Sequence, residues 1–88
     1  MRFSDLKFQP KFMGFPGIQA VVHFSNGYGA SVVKGPHTYG GLEGFYELAV
    51  LHDGELCYDS GLTEDVFGWL TPSEVSDLLE KIEALPPK

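Results

Sequence analysis

The stretch GIQAVVHFSNGYGASVVKG, residues 17 to 35, decides the fold. β-Branched residues flank Asn26-Gly27, the pair that a two-residue type I′ hairpin uses for positive φ at both central positions. Two antiparallel strands are therefore expected, with Ser25 opposite Tyr28, Phe24 opposite Gly29, Val22 opposite Ser31 and Ala20 opposite Val33. In that register Phe24 covers the bare backbone of Gly29. The same glycines raise the question of a phosphate loop. A Rossmann turn or P-loop presents helix N-terminal amides to the phosphate, whereas Gly27-Tyr28-Gly29 runs into Ala30-Ser31-Val32-Val33, a strand, so the hairpin reading prevails.

Working outward, FYELAVLHDGELCYDS (45–60) repeats the pattern around Asp53-Gly54 and pairs Leu51 with Leu56, Val50 with Cys57 and Ala49 with Tyr58. TPSEVSDLLEKIEALPP (71–87) reads as a helix. Thr71 is its N-cap, Pro72 its first residue and Glu74 the third member of a capping box; Val75, Leu78, Leu79, Ile82 and Leu85 form one apolar stripe. The segment between, LTEDVFGWL (62–70), reads as a helical turn capped by Thr63 and stopped near Gly68. Ahead of the first strand, Phe3, Phe8, Phe12 and Phe15 fit no regular period. The expectation is thus a single α+β domain over residues 1–88: an irregular N-terminal arm (1–17), a four-stranded antiparallel β-meander (18–60), a connecting helical turn (61–70) and a C-terminal α-helix (71–85) packed on one face.

One helix leaves one sheet face over. The first hairpin's second face carries Val21, Tyr28 and Val32 beside Gln19, His23 and Lys34, and the third strand is apolar on both sides. A fully wet face would alternate more cleanly. The arm, a second copy of the chain or a foreign partner would supply the cover; a homodimer would make contact through Val21, His23 and Val32.

Composition limits the chemistry. Eighty-eight residues with 43% hydrophobic content leave little space for a buried active site. A single cysteine, Cys57, forms no internal disulfide, and a reducing cytoplasm fits that usage. The first residues lack a continuous apolar run, so neither a signal peptide nor a membrane anchor is expected. The net charge of −6 is uneven. Residues 1–46 hold four Lys or Arg against two acids, whereas residues 47–88 hold two against ten. Such a field disfavours nucleic-acid backbones and favours basic protein surfaces.

Three constellations are candidates for chemistry or binding. His52, Cys57 and Asp59 fall near one another on the second hairpin, but a half-buried cysteine beside a turn histidine explains them more simply than a thiol nucleophile does. His23, His37 and His52 share no strand or helical turn, so no metal site and no cofactor is expected. The loop around Lys34, His37, Thr38 and Tyr39, with Tyr28 as a second ring, mixes a cation, a hydroxyl, aromatics and bare amides from which a small-anion or nucleotide pocket could be built. The helix acids Glu74, Asp77, Glu80 and Glu83 form either a solvated face or an acidic docking surface, with Asp77 and Lys81 as an i,i+4 pair.

GIQAVVHFSNGYGASVV, YELAVL and LCYDSGLTEDVFGWLTPSEVSDLLEKIEAL together resemble small uncharacterised proteins encoded by bacteriophages and prophages. An N-G-Y-G hairpin, a Y-E-L-A-V strand and a terminal L-T-x-x-E-V helix recur there in that order. The resemblance spans roughly residues 17–85 and implies an origin, with no catalytic site. It implies a phage accessory protein, located in the host cytoplasm, that binds and modulates a host protein such as a defence component. The expected partner presents a basic surface.

Overall fold

The computed structural model describes residues 1–10, 16–62 and 66–87. Among the described residues it is an α+β structure: an antiparallel sheet of six strands, two more than expected, with one C-terminal helix. The strands are β1 (Gln9–Pro10), β2 (Ile18–His23), β3 (Tyr28–Lys34), β4 (Tyr46–His52), β5 (Glu55–Leu56) and β6 (Phe67–Leu70), and the helix α1 is Pro72–Glu83. The order is β1-β2-β3-β4, after which β5 and β6 lie end to end along the same edge of β4. No helix among the described residues is long and apolar enough to cross a membrane.

The second hairpin turns where expected, but its second strand ends at Leu56, so the expected Val50–Cys57 and Ala49–Tyr58 pairs do not extend the ladder. Asp53 and Gly54 have φ of 52° and 82°, the type I′ requirement, and Leu51 faces Leu56. The first hairpin is offset by one residue. Ala20 faces Val32, Val22 faces Ala30 and His23 faces Gly29. Its loop is the three residues Ser25-Asn26-Gly27, closed by Phe24 N–H donating to the Tyr28 carbonyl (2.7 Å), with Gly27 at φ 88°. This is the longer hairpin that places a left-handed glycine last. The cause lies outside the hairpin. Asn26 Nδ2 donates to the carbonyls of Ile82 (3.0 Å), Glu83 (3.3 Å) and Leu85 (2.9 Å), while its Oδ1 accepts the Tyr28 N–H (3.0 Å). The turn asparagine thereby bonds carbonyls at and just past the end of α1, adding to the Leu85 N–H that already reaches the Ile82 carbonyl (3.2 Å).

The offset changes which residues share a face. Ala20, Tyr28, Ala30, Val32, Leu48 and Val50 are buried in one cluster with Val75, Leu78, Leu79 and Ile82 of α1. Tyr28 and Val32, expected beside Val21 and His23, lie on the helix side. The helix begins as expected: Glu74 N–H donates to Thr71 Oγ1 (3.2 Å), and Thr71 N–H to Glu74 Oε1 (3.0 Å). The expected Asp77–Lys81 pair is not made; among the described residues the Met1 ammonium pairs with Glu83, and the His52 imidazole lies 3.4 Å from the Asp53 carboxylate.

Two further expectations are corrected. The arm is partly regular, with a short 3-10 turn at Phe3–Asp5 and β1 paired to β2. Phe3 and Phe8 also pack on the helix side, where both ring centroids lie within 5.6 Å of that of Tyr46 and Phe3 N–H donates to Ser76 Oγ. Phe12 and Phe15 lie outside the described residues, as does the Thr63 cap. The segment read as a helical turn ends in a strand. Tyr46 faces Leu70 and Leu48 faces Phe67, with a bulge between. That bulge lets Phe67 and Leu70, three residues apart, both turn toward α1, where a regular strand would send them to opposite faces.

Candidate interaction surface

The bulge builds a second feature on the face away from α1. Gly68 and Trp69 together stand opposite Glu47 of β4. Trp69 has φ 58°, an outlier for a bulky side chain. Tyr39 ties the arrangement together. Its N–H donates to Glu47 Oε2 (2.8 Å), and its carbonyl accepts the Trp69 N–H (3.3 Å). Gly68 is required because a Cβ there would stand 2.6 Å from that of Tyr39. At Gly40 (φ 81°) a Cβ would meet Phe45 and the Trp69 ring at 2.9–3.0 Å. The Phe45 and Trp69 rings lie 5.9 Å apart. The result is an open apolar platform in which Tyr39 is 60% exposed and Trp69 56%, followed in sequence by Leu42, 78% exposed in the 3-10 turn Gly41–Glu43.

The residues proposed for an anion pocket do not converge. The Lys34 ammonium sits 4.8 Å over the Tyr46 ring, on the helix side. Tyr28 is buried, edge-on to His52 at 4.9 Å, and lies at the other end of β3, about 20 Å along a strand of this length. The Thr38 hydroxyl accepts the Gly35 N–H (3.0 Å) and lies 2.9 Å from the Gly35 carbonyl, closing a local turn. His37 is exposed. Of that set, only Tyr39 belongs to the platform.

The thiol constellation divides into two contacts. Cys57, buried, donates its S–H to Asp59 Oδ1 (3.2 Å), whereas His52 Nδ1 lies 3.4 Å from Asp53. Among the described residues no group of three or more His, Cys, Asp or Glu is placed to hold a metal.

Glu74, Asp77, Glu80 and Glu83 are all exposed on α1. Glu74 is engaged in the capping box, and Glu83 accepts from the Met1 ammonium at 2.9 Å, a hydrogen bond that raises that amine's pKa. Asp77 and Glu74 border a groove of about 240 Å³ whose apolar walls are Phe67, Leu70 and Leu78, with Lys81 at its side. Val21 and His23 are exposed on the opposite sheet face, while Val32 is fully buried beneath α1. These three cannot form one contact surface.

Trp69, Leu42, Phe45 and Glu47 did not emerge as a site from sequence. The available signal was the Gly-Trp pair inside an aromatic, strand-prone run. No family model matches the chain, and no curated protein or solved structure is significantly similar to it.

Proposed function

We propose that this chain is a non-enzymatic protein-binding module, a phage accessory factor acting in the host cytoplasm, whose anchor is the Tyr39–Leu42–Trp69 platform. The acidic face of α1 steers it to a basic surface on the partner. The observation that carries this reading is Trp69. A bulky residue at positive φ costs about 1–3 kcal/mol, and here the strain accompanies an indole left more than half exposed. Trp and Tyr are enriched among residues that dominate binding energy at protein interfaces.

Trp69→Gly tests it, because glycine accepts this backbone conformation without strain. The variant is expected to melt within a few degrees of the parent yet to lose roughly tenfold or more in partner affinity. Capture from host lysate at low and high salt, followed by titration of the retained protein, gives the measurement. Undiminished affinity in Trp69→Gly removes the platform from the interface, and affinity indifferent to salt removes the steering by α1.

A second reading, a homodimer through the sheet face away from α1, is favoured by Val21 (48% exposed) and by Leu56, exposed at the same face's edge. Light scattering at tens of micromolar is then expected to give twice the chain mass, with Val21→Asp returning it to the monomer. A monomer mass for the parent ends this reading.

A further inference from the structure

We infer that the platform receives an arginine side chain of the partner, stacked on Trp69 and Tyr39 with the Glu47 carboxylate as its counter-charge; this rests on the protein-binding reading above. Three observations lead there. First, the charge around the platform has one sign. Between Lys34 and Lys81 the chain has no lysine or arginine and ten Asp or Glu. The nearest cation in sequence, Lys34, is turned to the Tyr46 ring on the helix side.

Second, Glu47 is half-buried and held in place. Its Oε2 accepts the Tyr39 backbone N–H, which ties the carboxylate to the Tyr39 main chain, at the β4 position that Gly68 and Trp69 stand opposite. A carboxylate has about four lone-pair sites, so one amide donor leaves acceptor capacity for a guanidinium. No ion pair to Glu47 is formed among the described residues.

Third, the aromatic partners suit a cation. Tryptophan is the strongest cation–π acceptor among the side chains, and the Trp69 ring packs over Gly40 beside Phe45. Arginine fits better than lysine because its planar guanidinium stacks on a ring while its edge donates to a carboxylate. The adjacent Leu42, the most exposed large apolar residue of the platform, suits an aliphatic neighbour of that arginine.

Trp69 is the chain's one tryptophan, so intrinsic fluorescence reports on this site alone. The probes are acetyl-Leu-Arg-Leu-amide and the neutral acetyl-Leu-Gln-Leu-amide, titrated into the whole chain at low salt. The arginine peptide is expected to shift the Trp69 emission saturably and to bind at least about fivefold tighter than its neutral counterpart. Glu47→Gln retains an acceptor for the Tyr39 N–H while removing the charge, and is expected to abolish that preference. Glu80→Gln, on α1, leaves it intact. Equal binding of the two peptides overturns the inference, as does the lack of any saturable shift at millimolar peptide. So does an effect of Glu80→Gln as large as that of Glu47→Gln, which marks diffuse attraction to an acidic protein. Should Trp69→Gly abolish partner capture while the arginine peptide fails to bind, the anchor stands and the arginine assignment falls.

Discussion

Leu79→Ala is expected to remove about 3 kcal/mol of stability, a large fraction of what a domain of this size has. Leu79 is fully buried where α1 meets the sheet, in one cluster with Ala30, Val32, Leu48 and Val50. Truncation forfeits the transfer free energy of the lost carbons and leaves a cavity that a helix seated on a sheet closes only partly. At about 4–8 °C per kcal/mol for a small domain, the thermal midpoint falls by roughly 12–24 °C. Leu42→Ala, a change of the same chemistry on the exposed platform, is expected to stay within about 0.5 kcal/mol. Circular dichroism melts of the two variants give the comparison. A loss below about 1 kcal/mol at Leu79 contradicts the packing described for α1.

The second large effect is expected at Asn26. Asn26→Ala deletes a donor to three helix-end carbonyls and an acceptor for the Tyr28 N–H, with an expected cost of about 2 kcal/mol. Asn26→Asp retains the acceptor yet is expected to cost more at neutral pH, about 3 kcal/mol, because a carboxylate then faces the negative end of the helix dipole. The pH dependence has a definite sign. The carbonyls disfavour the charged form, so the introduced acid's folded pKa lies above its unfolded value. The variant is therefore least impaired below the unfolded carboxylate pKa and loses stability as pH rises through the folded one. Urea unfolding of both variants from pH 4 to pH 7 tests this: a gap between Asp and Ala that fails to widen with pH refutes the cap.

Local chemistry was legible in the sequence, and non-local chemistry was not. Thr71, Pro72 and Glu74 announced the helix start because the capping box closes within four residues. Asp53-Gly54 set the Leu51–Leu56 pairing because the bond from that turn to a distant residue, Asp53 N–H to the Gly27 carbonyl (3.0 Å), leaves the local register unchanged. Asn26-Gly27 obeys the same local rule but missed by one residue, since Asn26 bonds to carbonyls 56 to 59 positions away. That single offset carried Val32 from the proposed contact face into the core. Phe67 and Leu70 imitate helical spacing, and only a bulge reconciles that spacing with a strand. The platform is hidden for the same reason: Trp69 ends a segment whose spacing reads as a helical turn stopped near Gly68, and that spacing shows neither its left-handed backbone nor its approach to Tyr39. The acidity of the second half, by contrast, needed only counting.

Asn26 also sets an order in time. β2, β3 and β4 are successive strands, so their pairings have modest loop-closure entropy to overcome. The end of α1 closes with its own backbone bonds, and its tie to the hairpin needs residue 26 of a folded turn to reach residues 82 to 85. A tie of that span is expected to form late, and interactions absent from the transition state govern how fast a protein opens rather than how fast it closes. The asparagine thus acts as a latch on the finished fold: it ties the C-terminal end of α1 to the first hairpin, and its loss is expected to shorten the lifetime of the native state.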